Sequence, residues 1–510
     1  MKVHSQATFG GKLDRREFLK ITGMAAGAAA LGSFGFSGVW AAGASSDIEL
    51  AYMPAEEAIK LFKAKKLSPV DVLKAQIRRI EALNSKVNCI TYKHFDEAME
   101  AAKISEARYM QGNPRPLEGL TVGIKDENDV KGWKTTAVTM ILKDAEPAEE
   151  NAAIIDLLQE AGAVLHIQTT VPELYLAFNA ATHLWGTTGN PWNLPYSPGG
   201  SSGGSGAALA AGFCTLATGS DMGGSIRIPA AQCGVFGFKP PFQRVPTTGI
   251  AYEAYGPMAR SLTDMLLMQN VIAAPHPKIH SSLKPKLDYP LDYAPVKGWK
   301  VVVDYGRSMG PLDASVEKSM DQTVSMLKDL GCQVAVKDLG VTYADFDIFA
   351  KGLLSTGMGL MIDAAAEHKD VLTHYARIFV EQNAGQLGPS DAAAADALLA
   401  RYHRHIQKEV FGSGFNALVT PTMLTPYVPA DWCMSDEKDF VITNGEKIYR
   451  KWNFVNTWLW NMLGNYPVMN VPVGLAPKNV PLGVQVVANT FVDLTAMQLS
   501  AALAKTVPQL

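Results

Sequence analysis

The chain has 510 residues, 47% of them hydrophobic and 19% charged, with a formal net charge of −3. This mild acidity argues against general nucleic-acid binding. The five cysteines (89, 214, 233, 332 and 433) have no metal-type spacing, and HExxH, CxxC and acidic calcium loops are missing from the sequence, so no metal or other cofactor is implied.

Residues 1–44 read as an export signal. Arg15 and Arg16 stand in DRREFLK, ahead of an uncharged Ala/Gly-rich stretch with Ala-x-Ala candidates near 42–44. Paired arginines before Phe-Leu-Lys predict a twin-arginine leader that engages the export machinery and delivers a folded protein to the periplasm or beyond. An uncleaved anchor is the alternative, but the leucine-poor, glycine-punctuated stretch disfavours stable membrane insertion. Loss of the leader, with Lys2, Lys12, Arg15, Arg16 and Lys20 against Asp14 and Glu17, would take the charge from −3 to −6.

Residues 45–510 are long enough for one large α/β domain or two smaller ones. A helix is predicted over 54–64, and a second starts at Ser68, with Pro69 in the first turn and Asp71 closing a capping box. Val70, Leu73, Ile77 and Ile80 recur on one face of that helix, which should pack on the core. Val122-Gly-Ile then reads as a buried strand ending at Lys125. A helix over 151–161 runs into a strand over 163–167. Further on, a strand over 300–303, a helix over 313–330 (Val316, Met320, Val324 and Leu327 inward) and a strand over 333–336 make a βαβ unit. Residues 275–295 read as a surface connector, and 390–399 as helical.

The densest signal lies at 197–229, SPGGSSGGSGAALAAGFCTLATGSDMGGSIRIP. Two glycine-rich turns flank a small-residue segment (207–217) that reads as a closely packed helix, and an apolar run follows at 235–238. Serines on such turns, Ser201 and Ser225, suit a nucleophile and its hydrogen-bonded partner. A serine nucleophile needs a base, and no histidine has a motif to supply one. The close pair His403 and His405 lies in a polar helical stretch. Desolvation at a strand end favours a neutral Lys125 amine, which could take a proton from Ser201 as Ser201 takes one from Ser225. The alternative is a strand-end surface lysine paired with Asp126 or Glu127.

GGSSGGSGAALAAG, GSDMGGSIRIPAAQCGVFGFKP, GTTGNPWN and VGIKDENDV together resemble the amidase signature family of Ser–Ser–Lys hydrolases. The resemblance implies one twisted mixed β-sheet flanked by helices. It gives Lys125 as general base, Ser201 as bridging serine after a cis Gly200–Ser201 bond, and Ser225 as nucleophile. The backbone N–H groups of Met222, Gly223, Gly224 and Ser225 become the oxyanion hole. From their types and spacing, Asp221 and Arg227 read as a loop-bracing pair, with direct substrate contact the alternative, and Ser202 is placed to hydrogen-bond to Ser201 or Lys125. Ser220 stands where threonine is common in the family. A variable region at about 339–446 would line the substrate entrance, with Tyr427, Trp432 and Phe440 as pocket candidates for which ordinary packing is the favoured alternative.

Three functions fit. The leading one is an exported amidase that cleaves a linear C–N amide bond of a small molecule. The second is an amidotransferase subunit passing ammonia to an acyl-tRNA, against which the leader argues. The third is a binding protein that uses the glycine loop as an anion nest, which would leave the Lys–Ser–Ser set unexplained.

Overall fold

The computed structural model describes residues 46–449 and 454–507, so the export-signal reading of 1–44 lies outside it. Eleven strands form one mixed sheet. In chain order they are β1 Ile90–Lys93, β2 Thr121–Lys125, β3 Val164–Thr169, β4 Leu216–Asp221, β5 Phe236–Lys239 and β6 Ala254–Ala259. The rest are β7 Lys300–Val303, β8 Gln333–Val336, β9 Ala417–Pro421, β10 Val468–Leu475 and β11 Pro481–Ala488. Their spatial order is β1-β3-β2-β4-β6-β5-β10-β11-β9-β7-β8. β3, β2 and β4 run parallel, as do β9, β7 and β8, while the strands between these two groups pair antiparallel. This is the single large α/β domain the sequence implies.

Local signals account for many of the elements. The helix Pro69–Val87 starts on the Ser68/Asp71 capping box and stops at Asn88, which is left-handed at φ 54°. Leu73 and Ile80 are buried as expected, but Val70 and Ile77 are only half-buried. The buried stripe is centred instead on Val72, Leu73, Ala75, Gln76, Arg79, Ile80 and Leu83. Lys300–Val303 and Gln333–Val336 pair in parallel around the helix Ala314–Asp329, completing the expected βαβ unit. The segment 390–399 belongs to a longer helix, Pro389–Glu409.

The expectation for 207–217 needs correction. The helix runs Gly203–Ala210 and stops before Gly212, which has φ 71°, and Leu216 and Ala217 instead open β4. Its first turn lies against the chain at Thr170. A Cβ at Gly204 would come within 2.3 Å of the Thr170 backbone nitrogen. Leu216 and Ala217 pair with Val122 and Gly123 of β2, and this pairing brings the end of the lysine strand beside the end of β4.

Candidate active site

Lys125 ends β2, and its side chain is wholly buried. Its backbone N–H donates to Thr218 Oγ1 on β4 at 2.9 Å, which ties the two strand ends together. Its Nζ donates to Ser201 Oγ at 2.8 Å and to Ser220 Oγ at 2.6 Å, and lies 2.5 Å from Glu127 Oε2. The ring of Tyr175 sits 5.3 Å from Nζ. Lys125 is therefore paired with Glu127, as the surface alternative supposed, but inside the protein and in contact with a serine.

Ser201 follows the cis peptide Gly200–Ser201, just before the helix Gly203–Ala210. A Cβ at Gly200 would come within 2.4 Å of the Asn179 carbonyl, so the loop closes only on glycine there. Ser225 is buried on the turn between β4 and the helix Arg227–Cys233. The two loops are joined where the Ser202 N–H donates to the Ser225 carbonyl at 3.2 Å. The Ser202 hydroxyl faces the Ser220 carbonyl at 3.4 Å. That differs from the expected bond to Ser201 or Lys125, because the backbone carries Ser202 to the far side of the turn.

Asp221 and Arg227 do brace the loop that carries Ser225. Both side chains are fully buried, and the guanidinium grips the carboxylate through two bonds of 2.8 Å. Arg227 also donates to the Thr457 carbonyl, Gln485 Oε1 and Asn461 Oδ1. Burial alone would raise the Asp221 carboxyl, but Arg227 and Asn461 outweigh it and hold the group at about 2.

The same carboxylate changes the expected oxyanion hole. The Gly224 N–H donates to Asp221 Oδ1 at 2.8 Å, so it is engaged within the loop and is not one of four converging donors. Met222, Gly223 and Ser225 remain the candidate donors. Gly224 instead supplies shape: its φ is 130°, and a Cβ there would come within 2.2 Å of Thr457 Oγ1.

Met222, Gly223 and Ser225 open onto an apolar pocket walled by Tyr175, Leu176, Phe178, Phe346, Phe349, Leu353, Leu354, Met358 and Phe379. Tyr427, Trp432 and Phe440 do not line it. Trp432 instead packs edge-on against Phe454 in a separate apolar cluster. The wall at 346–358 falls inside the region expected to line the substrate entrance, but the sequence does not single out its residues, because an apolar helical run looks the same whether it faces a core or a cleft. His403 and His405 make bonds elsewhere, to the Tyr466 hydroxyl and the Leu339 carbonyl.

The family model described as Amidase matches residues 71–496. A glutamyl-tRNA(Gln) amidotransferase component from Carboxydothermus hydrogenoformans is 30% identical over 487 residues, covering 89% of this chain and 97% of the relative. The component of the same name from Geobacter metallireducens is also 30% identical, over 88% of this chain and 96% of its own length. Each is named as one subunit of its enzyme. A bacterial aryl acylamidase of the amidase signature enzymes superposes with a TM-score of 0.80 at 27% identity, covering 90% of this chain and 97% of that one. The structure of 6-aminohexanoate cyclic dimer hydrolase shares the fold, with a TM-score of 0.75 at 23% identity over 90% of this chain and 98% of that one.

Proposed function

The chain belongs to the amidase signature family, and from that premise we propose that it hydrolyses a linear amide bond through an acyl-enzyme on Ser225. The observation that carries this reading is the buried contact of 2.8 Å between Lys125 Nζ and Ser201 Oγ, on the loop bonded to Ser225. Ser225 Oγ attacks the carbonyl carbon while its proton passes through Ser201 to the neutral amine of Lys125. N–H groups from among Met222, Gly223 and Ser225 steady the oxyanion. As the C–N bond breaks, the proton returns through Ser201 to the leaving nitrogen, and water then hydrolyses the ester.

The apolar lining beside Ser225 supports a substrate with an apolar acyl or amine portion. Among the described residues, this lining offers no charged side chain to the ammonium and carboxylate of glutamine. Export by a twin-arginine leader belongs to the same proposal. Replacing Arg15 and Arg16 together with lysine should leave the full-length protein in the cytoplasm with its leader attached.

A second reading has its own support. The curated relatives at 30% identity are amidotransferase subunits, whose name makes them parts of a larger enzyme. Both readings share the acyl-enzyme and differ in where the released nitrogen goes. Assaying the purified chain alone on a panel of apolar amides and on glutamine separates them. Hydrolysis of apolar amides without any partner supports the amidase reading. Turnover confined to glutamine supports the amidotransferase reading.

A further inference from the structure

The relay leaves one buried carboxylate beside its lysine without a task. Glu127 lies two residues past Lys125, in a tight turn closed by its own N–H on the Lys125 carbonyl at 2.6 Å. The turn folds its side chain back, so that Oε2 sits 2.5 Å from Nζ and accepts the Ser220 hydroxyl at 2.6 Å. The side chain of Glu127 is only 12% exposed. Glu253, just before β6, hydrogen-bonds to it. A Cβ on Gly249 would overlap Glu253 Oε2, so any side chain there would have to displace that carboxyl.

The hydrogen-bond directions around Nζ are set by these contacts. An ammonium has three N–H bonds and meets three oxygens here, those of Ser201, Ser220 and Glu127. A neutral amine has two N–H bonds and a lone pair, so one contact must reverse and become a donor to nitrogen. An ionised Glu127 has no proton to give. Ser220 has one, but it is directed to Glu127. Only Ser201 remains, and it is the serine that must donate for the relay to run.

We propose that Glu127 is a positioning residue of the relay. Its carboxylate occupies one Lys125 N–H and the Ser220 hydroxyl, so that the amine's lone pair faces Ser201, and it offsets the charge when the proton arrives. Two further facts agree with an ionised Glu127. Burial would push its carboxyl up, but Lys125, the bond from Glu253 and the Ser220 hydroxyl bring it below its ordinary value. Burial and the neighbouring Glu127 charge drive the Glu253 carboxyl well up. The other titratable groups facing this cluster are Asp126, Asp129, Tyr175, Asp221 and Tyr255.

This inference rests on Ser225 as the nucleophile, and its test is chosen to separate the two. A fluorophosphonate reacts with Ser225 whatever the natural substrate: the Oγ–P bond forms, the P–F bond breaks, fluoride leaves, and the serine proton passes to Lys125. The rate of adduct formation, with its site mapped by mass spectrometry, is followed from pH 5 to pH 10 in the wild type, Glu127→Gln and Glu127→Asp. Glu127→Gln should react roughly 10²-fold more slowly on the alkaline plateau. Its acidic limb should move down by about 1–3 pH units, because the charge that favours the ammonium has gone. Glu127→Asp keeps that charge, so its limb should stay near the wild-type position while the rate falls. It also carries the test should Glu127→Gln not fold. A Glu127→Gln limb that does not move, a wild-type rate in that variant, or a limb that drops in Glu127→Asp would overturn the proposal. A wild type unlabelled at Ser225 would remove the nucleophile assignment and this inference with it.

Discussion

Two lysines end strands of the same sheet with their side chains wholly buried, and their surroundings have little in common. Lys125, at the end of β2, is met by the hydroxyls of Ser201 and Ser220 and by the carboxylate of Glu127. Among the described residues, Lys239, at the end of β5, hydrogen-bonds only to the carbonyls of Pro240 at 3.3 Å and Gly464 at 3.2 Å. Burial, helped by Arg227, pushes Lys239 down to about 7 against the pull of Asp221 and Asp493. A carbonyl accepts from an ammonium but has no proton to return, whereas a hydroxyl does both. Burial makes Lys239 easy to deprotonate. In the proposed relay, a hydroxyl that leads to Ser225 is what would make Lys125 a base.

The comparison breaks most visibly at the end of the relay. Ser225→Ala should lower amide turnover on the order of 10⁴-fold or more and abolish the covalent adduct, as removing a nucleophile does elsewhere. Intact mass after exposure to a serine-directed phosphonate checks it, and an adduct on another residue would move the nucleophile. Lys125→Ala comes next, with a loss of roughly 10²–10⁴-fold, the scale of a positioned base. The matching change at the other lysine, Lys239→Met, should leave adduct formation within a few-fold of wild type. If the two variants lose rate alike, burial rather than wiring is the operative property.

The third prediction concerns the brace shared by both surroundings. Asp221→Asn leaves Arg227 buried without its counter-charge and should cost about 3–5 kcal/mol in unfolding free energy, measured by urea titration. Because the folded Asp221 sits at about 2, below its ordinary value of 3.8, its contribution is complete above about pH 4 and fades as pH falls through 2. The smallest effect sharpens the contrast. Lys239 is depressed, so between about 7 and 10.5 the unfolded chain holds a proton that the folded chain has shed, and stability should rise with pH. The wild type should gain about 1 kcal/mol per pH unit from this group between pH 7.5 and 9.5, a slope that Lys239→Met should lose.

How legible each lysine was in the sequence follows from local context. Lys125 stands out only beside the serine turns at 197–229, with Ser201 lying 76 residues further on, because the apolar strand before it equally fits an ordinary strand-end lysine. The Ser68 cap and the βαβ unit at 300–336 were legible for a simpler reason, as their signals are contiguous. Glu127 was visible only as a possible surface partner, because the depth of a turn is set by β4 and β6 packing beside it. The commitment of the Gly224 N–H to Asp221 depends on a loop geometry that glycine permits but does not specify. The wall at 346–358 comes from a distant helical run, and its apolar spacing says that it packs without saying against what.

The central claim is that Lys125 serves the reaction through Ser201, and its clearest test is leaving-group dependence. The measurement is kcat/KM for a matched amide and ester pair across pH, in the wild type and Lys125→Ala. An amine must leave protonated, whereas an alkoxide depends far less on a proton, so amide cleavage should fall much further than ester cleavage. The acidic limb present in the wild type should flatten in the variant. Near-normal amide turnover in Lys125→Ala with an unchanged pH profile would contradict the relay.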